Sequence, residues 1–253
     1  MNRNGIYGLI GVAALVAGGG GYYLWQREAP APPAPTTALS GPRVENPLPP
    51  STGAAPLPLL ADSDAAIAAE LATLLHLNAL PDLFYPNRLA QRFVATVDNL
   101  PREQVAASVR VMRPPGGALA VRGEEPSLSI APENTARYAQ YLKLLAALDP
   151  AQAAAAYKHF YPLLQQAYEE LGYPGHYFND RVVEVIDHLL ATPDVADPVP
   201  LIHPSVMYKF ADPRIEGRSA GQKALIRMGH DNEAQVKSKL RDIRALIATH
   251  PAA

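Results

Sequence analysis

From Gly5 to Trp25 the chain runs for 21 residues, GIYGLIGVAALVAGGGGYYLW, without a formal charge. At about 1.5 Å of rise per residue, a helix of that length reaches roughly 30 Å, the hydrocarbon thickness of a bilayer. In water such a helix would expose apolar side chains all round, so the run demands an architecture in which this part of the chain is dissolved in lipid. Tyr7 stands near one end and Tyr22, Tyr23 and Trp25 near the other, where rings settle at headgroup level. A cleaved secretory signal would carry an apolar segment of only about 7–15 residues behind a more basic start. The sequence therefore predicts an uncleaved single-pass anchor over residues 5–25.

Orientation follows from the basic residues that flank it. Arg3 and the amino terminus lie on one side, Arg27 on the other, and acidic neighbours such as Glu28 count for little. A cytoplasmic stub of residues 1–4 is the simplest arrangement, and it sends everything after Trp25 outward. Ala13, Ala17 and Gly21 repeat every four residues, a small-residue face through which two anchors can approach, so a homodimer is one expected state.

Ten of the 26 prolines fall between Pro30 and Pro58. Proline removes an amide donor and biases its predecessor to extended backbone, and this stretch has few large apolar side chains to collapse on. Residues 26–61 are expected to form a Pro/Ala-rich disordered linker. Its proline-dense part reaches about 90 Å as a polyproline-like spacer or about 30 Å as loose coil.

Residues 62–253 read as one α-rich domain. DSDAAIAAELATLLHL opens behind Asp62 and Ser63 as candidate N-caps. In PNRLAQRFVATVDNLP, Leu89, Phe93, Val97 and Leu100 hold one apolar stripe. Asp149, Pro150 and Gln152 start a long helix as cap, first residue and capping-box partner, and Pro162 inside it should kink or divide it. Ser219 and Gln222 repeat the box, with Gly229 as the stop. In the last helix Val236, Leu240, Ile243 and Ile247 are expected to face the core, with Lys237, Arg241 and Arg244 outward. LAVRGEEPSLSI reads as a hairpin, and VPLIHPSVMYKF, broken by Pro204, as at most an edge strand or two. The predicted fold class is mainly α: a single multi-helix domain with one or two short β-hairpin or edge-strand elements, preceded by one transmembrane helix.

Three strings, RFVATVDNLP, HFYPLLQQAYEELGYPGHYFNDRVVEVIDHLLATP and YKFADPRIEGRSAGQKALIRMG, resemble an uncharacterised family of Gram-negative bacterial proteins, domain of unknown function 3014. The resemblance runs across nearly all of residues 62–248. It implies an apolar helix and proline-rich segment ahead of the domain, an envelope-anchored protein and no assigned activity. With it, the expected location is the bacterial inner membrane, with residues 62–253 in the periplasm. It supplies no catalytic residues.

The most chemically suggestive stretch is YPGHYFNDRVVEVIDHLLAT, residues 173–192. At about 100° per residue, Asp180, Glu184, Asp187 and His188 share one stripe opposite Val182, Val183, Val185, Ile186, Leu189 and Leu190. Such a stripe can hold a hard cation, or zinc through Glu184 and His188, and it is equally the wet face of an amphipathic helix. The chosen reading is the second, with no metal and no cofactor. The four remain weak candidates for an enzyme acting on an envelope component. The expected partner or ligand surface comprises Tyr173, Tyr177, Asn179, Asp180, Arg181, Glu184, His188, Lys237, Arg241 and Arg244.

Tyr157, Phe160, Tyr161, Tyr168, Tyr173, Tyr177 and Phe178 crowd together, more as core than as a sugar-stacking platform. Residues 151–200 carry two basic side chains against seven acidic, and residues 209–244 nine against five. The basic segment either grips an anionic envelope polymer or partner protein, or packs against the acidic one and neutralises it. A net charge of −2 gives no reason to expect nucleic acid. The absence of cysteine excludes disulfides, thiolate metal sites and a cysteine nucleophile. There is no GxSxG, SxxK, HExxH or Walker A motif, and no close His–His ligand pair. The expected role is a membrane-anchored periplasmic binding or scaffolding module for an envelope protein or cell-wall polymer.

Overall fold

The architecture is taken from a computed structural model that describes residues 44–49, 56–78 and 82–249. The expected anchor over residues 5–25 lies outside them. No helix among the described residues is long and apolar enough to cross a membrane.

Eight α-helices are described: α1 (Asp64–Leu74), α2 (Leu89–Asn99), α3 (Ala139–Ala147), α4 (Pro150–Glu170), α5 (Phe178–Leu190), α6 (Pro213–Glu216), α7 (Ala220–Arg227) and α8 (His230–Ile247). Four two-residue strands, β1 (Val121–Arg122), β2 (Ser129–Ile130), β3 (Leu201–Ile202) and β4 (Lys209–Phe210), and three short 3-10 helices accompany them. Each consecutive pair is antiparallel, with Val121 opposite Ile130 and Leu201 opposite Phe210. A bridge between Ser129 and Pro200 joins the hairpins edge to edge. Both extended stretches foreseen in the sequence are thus present as hairpins.

Helix starts follow local chemistry. The Asp149 carboxylate accepts from the Gln152 amide at 2.9 Å, and the Ser219 hydroxyl accepts from the Gln222 amide at 3.2 Å. Gly229, at φ 88°, separates α7 from α8. The start of α1 departs from expectation. Ser63 is buried and its hydroxyl donates back to the Leu60 carbonyl, making no cap bond. Asp64, instead, caps a different helix: its carboxylate accepts from the Arg88 and Leu89 amides, each at 2.7 Å, at the beginning of α2. That bond compensates for a poor local start, because Arg88 sits at φ 56° and offers no side-chain cap.

Pro162 does not divide α4, which runs unbroken for 21 residues. One amide donor is lost, but Leu163, Leu164, Ala167 and Tyr168 beyond it are all buried and hold the second half in line. Helix α8 lies against both α4 and α5, α2 against α4, and α1 closes one side against α2 and α4. The main core comprises Val94, Leu164, Phe178, Val182, Ile186, Ile247 and their neighbours, and a second, smaller one lies under the hairpins around Val199, Leu201 and Phe210.

Helix α8 sets Val236, Leu240, Ile243 and Ile247 against the core as expected, but two of its three cations expected outward are not there. Lys237 and Arg244, foreseen as outward, are buried at 6% and 8% exposure, while Arg241 is exposed. Val236 and Leu240 are half-buried beside them. The buried cations are tolerated because each is paired. Lys237 meets Glu233 at 2.5 Å and donates to the Thr192 carbonyl at 2.7 Å. Arg244 grips Asp187 with bonds of 2.5 and 2.9 Å.

Candidate functional site

Helix α5 is the organising element of the region singled out by sequence. Its apolar face, Val182, Val183, Val185, Ile186 and Leu189, is buried, and the candidate polar side chains ring the other face. They do not converge. Asp180 points to the chain ahead of the domain, where its carboxylate accepts from the Glu45 amide (3.1 Å), the Asn46 amide (2.7 Å) and the Asn46 side chain (3.2 Å). Glu184 pairs with Arg181 at 2.9 Å in the open. Asp187 is taken by Arg244. His188 Nε2 lies 2.8 Å from the Ser219 hydroxyl, which accepts from the Gln222 amide and is left free to donate to a neutral imidazole. Burial, then the Arg181 charge, holds the His188 pKa below its ordinary value. Among the described residues no group of three or more acidic or histidine side chains could hold a metal ion.

Of the residues expected to form a partner surface, Asn179, Lys237 and Arg244 are buried, Glu184 and Arg241 are exposed, and the other five are half-buried. Tyr173 stacks on Tyr168 at 4.6 Å, while its hydroxyl accepts from Arg102 at 2.8 Å and donates to Asp98 at 3.2 Å. Asp98, 2% exposed, also takes Arg102 at 2.5 Å and Arg181 at 3.0 Å. The remaining aromatics are core. Phe178 is fully buried, and burial raises the Tyr157 and Tyr161 hydroxyls well above their ordinary pKa and the Tyr168 hydroxyl to about 12. Two ion pairs, Arg244–Asp187 and Lys237–Asp194, join the basic segment to the acidic one.

Two features were not foreseen. The first is a strap. Val44–Pro49, inside the stretch expected to be a disordered linker, is docked on the start of α5. Fully buried Asn179 donates to the Asn46 carbonyl at 2.8 Å and to the Ile247 carbonyl at 2.9 Å. The Tyr177 hydroxyl accepts from the Leu48 amide at 2.9 Å, and the Thr249 amide donates to Asn46 Oδ1 at 3.0 Å. Leu48, Leu57 and Leu60 add their side chains to the main core, so ordered chain begins well before residue 62.

The second feature is a half-open apolar cavity of about 430 Å³ between the helices. Its wall is drawn from α1 (Ile67, Leu71), α2 (Phe93, Val97), α4 (Ala156, Phe160), α5 (Val185, Ile186) and α8 (Leu240, Ile243), with Phe84 and Met112 from the connecting chain. Glu70 is the one charged side chain on that wall. Tyr157 contributes its ring, while its hydroxyl donates to Asn179 Oδ1 at 3.1 Å. None of Asp180, Glu184, Asp187 and His188 reaches it.

Residues 89–244 match the family described as protein of unknown function (DUF3014). The chain belongs to that family. No curated protein and no solved structure matches it. The DUF3014 match begins at Leu89, so the strap and α1, with its share of the cavity wall, lie ahead of the matched residues. No local signal marks the cavity, whose wall is shared among five helices distant in sequence.

Proposed function

We propose that this DUF3014 protein is a single-pass inner-membrane protein, anchored through residues 5–25, whose periplasmic domain binds one aliphatic chain within its helical bundle. The observation that carries the reading is the cavity. A half-open apolar pocket of about 430 Å³ lets an aliphatic chain leave water against five helices, which is the favourable transfer that drives binding.

The wall specifies the occupant. Twenty-three of its 25 residues are apolar, and the Tyr157 hydroxyl is already engaged, so internal hydroxyl or amide groups on a ligand would lose their water without gaining partners. At about 30 Å³ for a water-sized group, the volume takes roughly 14 such groups, an aliphatic chain of a dozen or so carbons. A headgroup would stay outside. An anchored domain meets such chains at the bilayer, as lipid acyl groups or free fatty acids.

The test uses the full chain in its own membranes. A photoactivatable fatty acid should crosslink to peptides of α1, α2, α4 and α8, and Ala156→Phe should abolish that labelling. Labelling confined to residues 5–25 would refute the binding reading. A reporter active only in the cytoplasm, fused after Ala253, should stay silent, and activity there would refute the orientation.

A further inference from the structure

We propose that occupancy of the cavity and docking of the strap are coupled, so that a bound aliphatic chain holds Val44–Pro49 on the domain and its loss releases them. This rests on the binding reading above and adds its regulation. The physical link is one side chain thick. The Tyr157 ring is cavity wall, and its hydroxyl holds Asn179 Oδ1 at 3.1 Å. The Ile247 side chain is cavity wall too, and its carbonyl accepts from Asn179 Nδ2 at 2.9 Å. The same Nδ2 donates to the Asn46 carbonyl at 2.8 Å, and Thr249, two residues after Ile247, donates to Asn46 Oδ1 at 3.0 Å. Two wall residues on different helices thus set the position of the one fully buried amide that holds the strap.

The sign follows from packing. The docked strap is seen with the cavity at full volume. Without an occupant, collapse draws the Tyr157 ring and the last turn of α8 inward, because apolar walls close on unfilled space. Both moves carry partners of Asn179 away from the geometry that holds Asn46. A filled cavity props both walls and favours the docked strap. By thermodynamic reciprocity, the docked strap must favour the bound chain by the same factor.

The experiment takes the full chain in phosphatidylcholine vesicles, with dodecanol as the probe, and follows hydrogen exchange at the Glu45, Asn46, Leu48 and Thr249 amides. Saturating dodecanol should slow exchange at all four by at least about fivefold, the low end of ordinary coupling. Ala156→Phe should leave them insensitive to the probe. Asn46→Ala should weaken dodecanol binding by the same factor while α2 and α4 amides exchange as before. If dodecanol binds in the cavity yet the four amides and the Asn46→Ala affinity do not change, the coupling is refuted and the binding reading stands. If dodecanol does not enter the cavity, the binding reading fails and the coupling with it.

Discussion

Ala156 lies on the cavity wall midway along α4, and Ala156→Phe adds six ring carbons aimed into the cavity. In a close-packed core such a substitution forces side chains off their rotamers and costs about 1–3 kcal/mol. Beside 430 Å³ of apolar space the sign reverses. The ring fills part of the space without displacing anything, and full burial of a phenylalanine side chain is worth about 1.5–3 kcal/mol. The domain stripped of bound lipid should therefore gain about 2 kcal/mol, or about 4–8 °C in Tm for a domain of this size. The assay is urea and thermal unfolding of the domain released through a protease site inserted between residues 37 and 38. Dodecanol supplies the internal control. At a hundredfold excess over its Kd it should stabilise the parent domain by about 2.7 kcal/mol and the phenylalanine variant hardly at all, reversing their order. A variant destabilised by 1–3 kcal/mol in stripped protein would show that the centre is already packed, and the argument from the cavity would fall.

Three further outcomes follow from other parts of the fold. Asp98→Ala removes the buried partner of Arg102, Arg181 and Tyr173 and should cost about 3–5 kcal/mol in urea unfolding, with Asp98→Asn costing less. His188 has a pKa below that of the unfolded chain, so the unfolded state binds its proton first. Its contribution to stability is intact above the unfolded-state value of about 6.5 and is lost as pH falls from there through the lower folded-state pKa, and His188→Gln should flatten this part of the stability profile. Gly221→Ala would place a Cβ 2.6 Å from Leu189 Cδ2 and 3.1 Å from the Leu100 carbonyl, where α7 meets the end of α2. It should destabilise by about 1–3 kcal/mol, against little effect at Gly116, where a Cβ meets nothing within 4 Å and the backbone is not in the positive-φ region.

Much of the helical framework was legible because its signals are local. The caps at Asp149 and Ser219, the stop at Gly229 and the apolar stripe of α5 each involve residues a few positions apart, and each appears where the pattern put it. What escaped were features that depend on distant partners. Asp64 reads as part of its own helix start and in fact caps α2, 24 residues on. Lys237 and Arg244 read as solvated because no window of sequence shows that Glu233, Thr192 and Asp187 wait for them in the interior. The stripe of Asp180, Glu184, Asp187 and His188 was correctly placed on one face of a helix, yet four different partners divide it, and a shared face is not a shared site. The strap lay hidden because proline content argues against helix and sheet but not against an extended segment held by side chains. Asn179 and Asp180 supply that hold from 130 residues away.

As proposed above, the bundle binds one aliphatic chain. The most direct measurement is the intact mass of the domain cut from native membranes at the site between residues 37 and 38, with no detergent at any stage. The parent protein should carry one aliphatic molecule per domain, and Ala156→Phe should carry none. A parent domain that leaves the membrane at its bare polypeptide mass, or that carries the same adduct as the phenylalanine variant, would contradict the account.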